Sequence, residues 1–387
     1  MIRRKLESEL TILRNEFPII AIMGPRQSGK TTLSKSFFKG YEYISLEDPD
    51  IKRIAADDPK GFLNSLSQKF ILDEIQNVPE LFSYLQRIAD EKENMGEIVI
   101  TGSQNYLLSE KISQSLSGRV AVTTLLPFSY SELFDKNSDG LNSTKYILNG
   151  SYPPVYARNI RPARFYAAYV STYIERDVRR ILNIKDLAVF EKFLRLLAGR
   201  TGQLLNKNEL ATQAGVTHIT VENWLSVLEQ SYVIFRMQPY YKNIVKRQIK
   251  QTKLYFYDSG LATWLAGIKS DKELEIHYLY GALFENMVVS EVLKSYTSMG
   301  ESTPVYFWRD SHGNEIDLVV ETGGETKLIE IKSSATFRPS FLKTILKTEN
   351  KFDVNSVNKI LIYNGDKQFY HNEVSVYPWR DYFESHK

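Results

Sequence analysis

The stretch "FPIIAIMGPRQSGKTTLSKSFF", Phe17–Phe38, sets an apolar run, a glycine-bearing loop and a helix-forming segment in immediate succession. Ile19 to Met23 reads as a buried strand, and the residues after Gly29 read as a helix. Between them the loop spells G-x-x-x-x-G-K-T from Gly24 to Thr31. A loop of that spacing lets backbone N–H groups wrap phosphate oxygens, sends Lys30 to the β and γ phosphates and lets Thr31 ligate Mg²⁺. Chance would supply such a match roughly 0.01 to 0.02 times in a chain of this length. The predicted nucleotide-binding set is Gly24, Pro25, Arg26, Gln27, Ser28, Gly29, Lys30, Thr31 and Thr32, with ATP and Mg²⁺ as the expected cofactors.

A second motif supports the first. "KFILDEIQNVP" is an apolar strand, Phe70 to Leu72, that ends in two acids. An acid at a strand end holds Mg²⁺, commonly through water, and Asp73 suits that task. An adjacent carboxylate aimed at water makes a hydrolase rather than a kinase, so Glu74 is the expected general base. A small-molecule kinase is thereby disfavoured. The next apolar strand, in "EIVITGSQ", ends in Ser103 and Gln104, placed either to sense the γ-phosphate or to cap a helix. Arg119 in "LSGRV" begins a further strand, where it is a candidate finger for transition-state charge or a surface arginine.

These elements, in this order, resemble an AAA+ type ATPase. More closely, "GPRQSGKTTL", "ISLEDP", "LDEIQNVPELFSYLQ", "TGSQNYLL", "LSGRV" and "LLPFSYSEL" resemble a bacterial and archaeal ATPase family in which this domain precedes a domain of unknown function. "FYAAYVSTYIERDVRRIL", "LAGRTGQLLNKNELA", "KLYFYDSGLATWLAG" and "GALFENMVVSEVL" match the pattern of that second domain, so the resemblance runs over nearly the whole chain. It implies an ATP-binding α/β domain with a parallel sheet, and it makes a homo-oligomer or a protein partner an expectation.

The chain has 387 residues, enough for two or three domains that each bury a core. At 43% hydrophobic and 25% charged it has globular composition rather than that of a long disordered chain. It contains no cysteine, which excludes disulfides, thiolate zinc sites and cysteine nucleophiles and fits a reducing cytoplasm. The apolar run near the N-terminus is interrupted by Glu7, Glu9, Arg14, Asn15 and Glu16, so neither a signal peptide nor a membrane span is expected.

"DKNSDGLNST" and the Pro-rich "GSYPPVYARN" mark the end of the first domain, which the sequence places at residues 1–150. A helical domain follows over residues 151–268. Within it, "LNKNELATQAGVTHITVENWLSVLEQSYVIFRMQPY" reads as helix, glycine turn, helix and strand, the order of a winged helix-turn-helix. Thr217, His218, Thr220 and Asn223 should face outward from its second helix. The segment from Tyr240 to Lys253 carries Lys242, Lys246, Arg247, Lys250 and Lys253 without an acid, and it would attract nucleic-acid phosphates if it lies on one surface. DNA is thus a candidate partner, although helix-turn-helix modules also serve as protein spacers. His218 lacks a second histidine or cysteine at ligand spacing and is not expected to bind metal.

Residues 269–387 form the last predicted domain. "NEIDLVVETGGETKLIEIKSS" puts acids inside two apolar strands joined by a glycine turn. Asp317, Glu330 and Lys332 spell D-x₁₂-E-x-K after a helix that carries Glu285 and Glu291. Those two glutamates lie about 240° apart around the helix, so only one can join a given site. The arrangement resembles the PD-(D/E)xK nuclease fold, with Ile316 where the proline of that pattern would stand. The resemblance implies that Asp317 and Glu330 hold Mg²⁺, that Lys332 activates water and that Glu285 completes the metal shell. D-xₙ-E-x-K alone arises by chance on the order of once per chain of this size. A hairpin with a wet face explains the same charges, and such folds also persist as binding modules without activity.

Overall fold

Short β-branched runs in this chain are bounded by glycine, proline and acid residues, and in the computed structural model they become strands of two separate sheets. The structure describes residues 2–91, 94–103, 116–134, 142–174, 187–241, 251–300, 304–348, 351–352 and 356–385. The chain divides into two compact units. The first comprises residues 1–128 with 230–232 and 296–301, and the second comprises 129–229, 233–295 and 302–387. Among the described residues no helix is long and apolar enough to cross a membrane.

The first unit is built on a five-stranded parallel sheet in the order β2–β3–β4–β1–β5. Its strands are β1 (Ile19–Met23), β2 (Glu42–Ser45), β3 (Phe70–Asp73), β4 (Ile98–Gly102) and β5 (Val120–Thr124). Every residue of β1, β3 and β4 is buried, as expected of strands covered on both faces. Helix α1 (Leu6–Glu16) lays Leu6 and Leu10 against Ile20, Ile22, Ile71 and Val99, and helix α2 (Lys30–Phe37) adds Leu33 to the same core. Burying side chains of this size is worth roughly 1.5–3 kcal/mol each.

The second unit opens with helices and closes with an eight-stranded mixed sheet, in the order β12–β13–β11–β10–β9–β8–β6–β7. In the helical part, α3 (Lys207–Ala214) ends at Gly215 in the left-handed conformation and α4 (His218–Gln230) follows. Next come β6 (Ile234–Pro239), β7 (Lys253–Phe256), α5 (Ser259–Leu265) and α6 (Tyr280–Ser298). The sheet is completed by β8 (Val305–Arg309), β9 (Glu315–Thr322), β10 (Glu325–Lys332), β11 (Ser356–Tyr363), β12 (Phe369–His371) and β13 (Val374–Pro378).

The glycine turn behaves as its residues require. Thr322 pairs with Glu325, and Gly323 and Gly324 both have positive φ, which is the two-residue loop that matches strand twist. The pair β6–β7, read from the sequence as part of the middle domain, edges the sheet of the C-terminal strands. Gln238 and Pro239 pair in parallel with Tyr306 and Phe307 of β8, so the helical segment and the later strands share one compact unit.

Candidate functional site

The loop after β1 is shaped by two glycines. Gly24 has φ 146°, and a Cβ there would stand 2.2 Å from the carbonyl oxygen of Leu125. Gly29, at φ 96°, is the N-cap of α2 and supplies no side chain, so the first-turn N–H groups remain directed at whatever the loop holds. Gln27 also adopts positive φ, and Ser28 is buried with an unpartnered Oγ. Lys30 is 5% exposed and turns its ammonium back on the loop, donating to the carbonyls of Gly24 at 3.0 Å and Pro25 at 2.9 Å. An orphaned hydroxyl, an uncapped helix start and a lysine inside the loop together fit a phosphate group with its metal ion.

Strand register brings the acids to this loop. β4 lies between β1 and β3, pairing Gly102 with Met23 and Ile100 with Leu72. Asp73 is therefore level with Thr101 and faces the start of α2. Its Oδ2 accepts from Thr31 Oγ1 at 2.8 Å and from Tyr43 on β2 at 2.6 Å, while its Oδ1 accepts from Thr101 Oγ1. Burial and the hydrogen bond to Asp73 push the Tyr43 phenol well above its usual range, which keeps it a donor. Glu74 takes a left-handed backbone, φ 57°, and its Oε2 accepts from Ser103 Oγ at 2.8 Å and from Gln76 Nε2.

The structure thus brings together Lys30, Thr31, Asp73, Glu74 and Ser103, whereas Gln104 lies outside the described residues. Pro25 is buried, Arg26 and Gln27 are half-buried and Thr32 is exposed on the same loop and helix start. Arg119 does not join them. It stands at the N-terminal end of β5, its carbonyl bonded to Ile19, with the whole strand between it and the loop that follows Met23. At about 3.3 Å per residue that separation is roughly 16 Å. Its guanidinium instead pairs with Asp90 at the surface.

Four contributors escaped the sequence reading: Tyr43, Thr101, Gln76 and Arg4. Tyr43 and Thr101 reach Asp73 only because parallel neighbours align them. Arg4 is 7% exposed, donates to the carbonyls of Ser28 at 2.8 Å and Leu126 at 2.6 Å, and covers the Phe128 ring at 4.7 Å, so it buttresses the loop from behind.

In the second unit, Asp317 on β9 and Glu330 and Lys332 on β10 converge. Lys332 Nζ lies 3.2 Å from Asp317 Oδ2 and 2.8 Å from Glu330 Oε2, and Asp317 Oδ2 accepts the Ile331 N–H at 2.8 Å. Glu285 from α6 accepts from Tyr255 at 2.6 Å and from Lys253 at 3.1 Å. Lys253 is 2% exposed and also pairs with Glu315 at 2.5 Å. It therefore does not belong to a basic surface, contrary to its place in the segment Tyr240 to Lys253. Of that segment, residues 242–250 lie outside the described residues. Burial and the Asp317 charge raise the carboxyl groups of Glu330 and Glu285 above the ordinary range. Burial alone would raise Asp317 too, but Lys332 and Lys253 hold it below. Among the described residues no group of three or more His, Cys, Asp or Glu side chains could hold a metal ion. The Mg²⁺ expected at Glu285, Asp317 and Glu330 does not fit the arrangement found, because the ammonium of Lys253, a lysine outside the D-x₁₂-E-x-K pattern, pairs with Glu285.

Glu291 belongs elsewhere. It is 2% exposed and accepts from the Tyr130 N–H at 2.6 Å, Tyr146 at 2.7 Å and Lys294 at 2.7 Å. Lys294 continues to Ser151 at 2.9 Å, Ser151 to Asp258 at 3.0 Å, and Asp258 accepts from Tyr166 at 2.7 Å. This buried chain ties the Pro-rich joint to α5 and α6.

A phosphate-cradling loop on a parallel sheet, with a Thr–Asp pair beside it, defines a P-loop nucleotide-binding domain. Residues 16–134 match the AAA domain family, and residues 142–272 and 280–382 match two domains of unknown function, DUF8612 and DUF4143. An uncharacterized protein of Mycobacterium tuberculosis is 30% identical over 372 residues, covering 95% of this chain and 81% of its own length. An uncharacterized protein of Methanocaldococcus jannaschii is 25% identical over 394 residues, covering 92% and 84%. The chain belongs to the same family as the mycobacterial relative, and its residues 16–134 form an AAA-type ATPase domain. Among solved structures, RuvB of Thermotoga maritima is similar at TM-score 0.30 and 16% identity over 60% of this chain and 88% of its own. AMPPCP-bound DnaA from Aquifex aeolicus is similar at TM-score 0.29 and 16% identity over 58% and 85%.

Proposed function

We propose that this protein binds and hydrolyses ATP and uses the cycle to change its grip on DNA. The observation that carries the catalytic part is the pairing of a Thr31–Asp73 hydrogen bond with a Glu74 carboxylate held by Ser103 and Gln76. Lys30 would exchange its loop carbonyls for phosphate oxygens. Thr31 and Asp73 would hold Mg²⁺, which when bound offsets charge on the transferred phosphoryl group. The Glu74 carboxylate would take the proton of the attacking water, with Ser103 and Gln76 on its Oε2 setting its orientation.

The DNA reading rests on α3 and α4, which meet through Gly215 and leave Thr217, His218 and Asn223 exposed at the start of α4. A recognition helix in a winged helix-turn-helix presents its first turn in this way, which supports the DNA reading. The three-part organisation at 1–150, 151–268 and 269–387 belongs to this proposal, as does the PD-(D/E)xK nuclease-like reading of the last part. Lys253, a lysine outside that pattern that pairs with Glu285 and Glu315, favours a domain that binds over one that cuts.

The test is steady-state ATP hydrolysis with Mg²⁺, alongside nucleotide binding, for the wild type, Lys30→Ala and Glu74→Gln. Both variants should lose turnover, and Glu74→Gln should still bind ATP. Near-normal turnover by Glu74→Gln would remove the base from the mechanism. Slow hydrolysis that duplex DNA neither speeds nor slows would favour a nucleotide-dependent regulatory or scaffold switch instead.

A further inference from the structure

The acids Glu285, Glu315, Asp317 and Glu330 gather at one edge of the β9–β10 hairpin, where the nuclease-like reading asks for a divalent cation. Two lysines reach the same place from different elements. Lys332 is the lysine of the D-x₁₂-E-x-K pattern and comes from β10. Lys253 comes from β7, the edge strand of the sheet, and the pattern does not include it. Its side chain is 3% exposed, and its ammonium pairs with Glu285 at 3.1 Å and Glu315 at 2.5 Å, with the Phe307 ring centroid 5.6 Å away.

We infer that Lys253 is the resident cation of this acid cluster, taking the place among Glu285, Glu315 and Asp317 that a divalent metal ion would need, so that the cluster is a structural ion-pair network rather than a metal centre. The inference rests on the nuclease-like reading for its choice of competing ion.

The donors show how far the carboxylates are already engaged. Glu285 Oε1 receives both Lys253 and the Tyr255 hydroxyl, and Asp317 Oδ2 receives both Lys332 and the Ile331 N–H. Glu330 Oε2 receives Lys332, and Glu315 divides its two oxygens between Lys253 and Arg309. A hard divalent ion needs six or more oxygen ligands at short range, and an ammonium group in their midst repels it. Two lysines facing four carboxylates also supply the counter-charge without which burial of so many acids would be unfavourable. Against burial, which would lower it, the carboxylates of Glu285, Asp317 and Glu315 hold the Lys253 ammonium above its usual range, so it stays charged at neutral pH. The consequence for function is that the last part of the chain holds its shape without metal and does not cut DNA.

The experiment is Mn²⁺ binding followed by electron paramagnetic resonance on the full chain without nucleotide, in an Asp73→Asn background that removes the site beside the loop. The wild-type cluster should bind no Mn²⁺, and Lys253→Met should gain one ion per chain that disappears again when Asp317→Asn is added. Lys253→Gln, which keeps a polar group for Glu285, serves if Lys253→Met does not fold as judged by circular dichroism. One Mn²⁺ bound by the wild-type cluster and lost on Asp317→Asn would overturn the inference while leaving the nuclease-like reading intact. A folded Lys253 variant that gains no ion would overturn the inference together with the nuclease-like reading of these acids. ATP turnover, measured separately, is affected by neither result.

Discussion

Ser103 Oγ donates to Glu74 Oε2 at 2.8 Å, and Gln76 Nε2 stands 3.3 Å from the same hydroxyl. The carboxylate is thereby held both from the end of the neighbouring strand, by Ser103, and from its own turn, by Gln76. Ser103→Ala should lower kcat by about tenfold or more while leaving nucleotide affinity unchanged, because it removes an orienting group and no phosphate contact. Turnover and equilibrium nucleotide binding, measured on the same preparation, check this. An equal loss in both would mean that Ser103 contacts the nucleotide.

Asp73 accepts from three hydroxyls, and Tyr43 on β2 is the one supplied by the edge of the parallel sheet. Tyr43→Phe removes a hydrogen bond to a buried charged group and should cost about 1.5–3 kcal/mol. It should also raise the Mg²⁺ concentration needed for half-maximal turnover. Thermal unfolding reads the first effect and a Mg²⁺ titration of ATPase activity reads the second.

Lys294 and Glu291 are both nearly inaccessible, so removing one leaves the other charged without its partner. Lys294→Met should destabilise the second unit by about 3–5 kcal/mol. Adding Glu291→Leu should recover part of that loss. Urea unfolding of the single and double variants checks both statements, and strict additivity would mean that the pair is not coupled.

Glu330 is held above the usual carboxylate range by burial and by Asp317. In the window above its unfolded value the native state binds more protons than the unfolded chain, so stability from this group falls as pH rises. Its contribution is complete below about pH 4 and is lost progressively toward alkaline pH. Glu330→Gln should remove this slope, and the wild type should lose stability relative to the variant between acid and alkaline pH in urea titrations. A constant difference across that range would show that folding does not raise the Glu330 pKa.

Arg119 is at the far end of β5 from the phosphate loop and pairs with Asp90. Arg119→Ala should leave the turnover of the isolated chain unchanged. A defect that appears only as protein concentration rises would assign the arginine to a neighbouring copy.

Much of the first unit was legible in the residues. The spacing of Gly24, Gly29, Lys30 and Thr31 specifies a local backbone, and a loop that wraps phosphate needs little beyond its own glycines. Asp73 and Glu74 were legible for the same reason, because an apolar strand that ends in acids marks its own end. The D-x₁₂-E-x-K spacing likewise located Asp317, Glu330 and Lys332, since a two-residue turn between strands of known length sets which side chains align.

What the sequence determined by itself was therefore local: which segments are strand or helix, where the phosphate loop lies, and which acids end strands. Tertiary structure decided which distant groups meet those acids. Tyr43 and Thr101 reach Asp73 through parallel register, Arg119 is carried to the opposite end of β5, and Lys253 is turned inward from an apparently basic segment onto Glu285 and Glu315. Side-chain periodicity is written in neighbouring residues, whereas strand order and the burial of a charge depend on segments brought together from far along the chain. That is why the lysine among the acids could not be found by reading the acids alone.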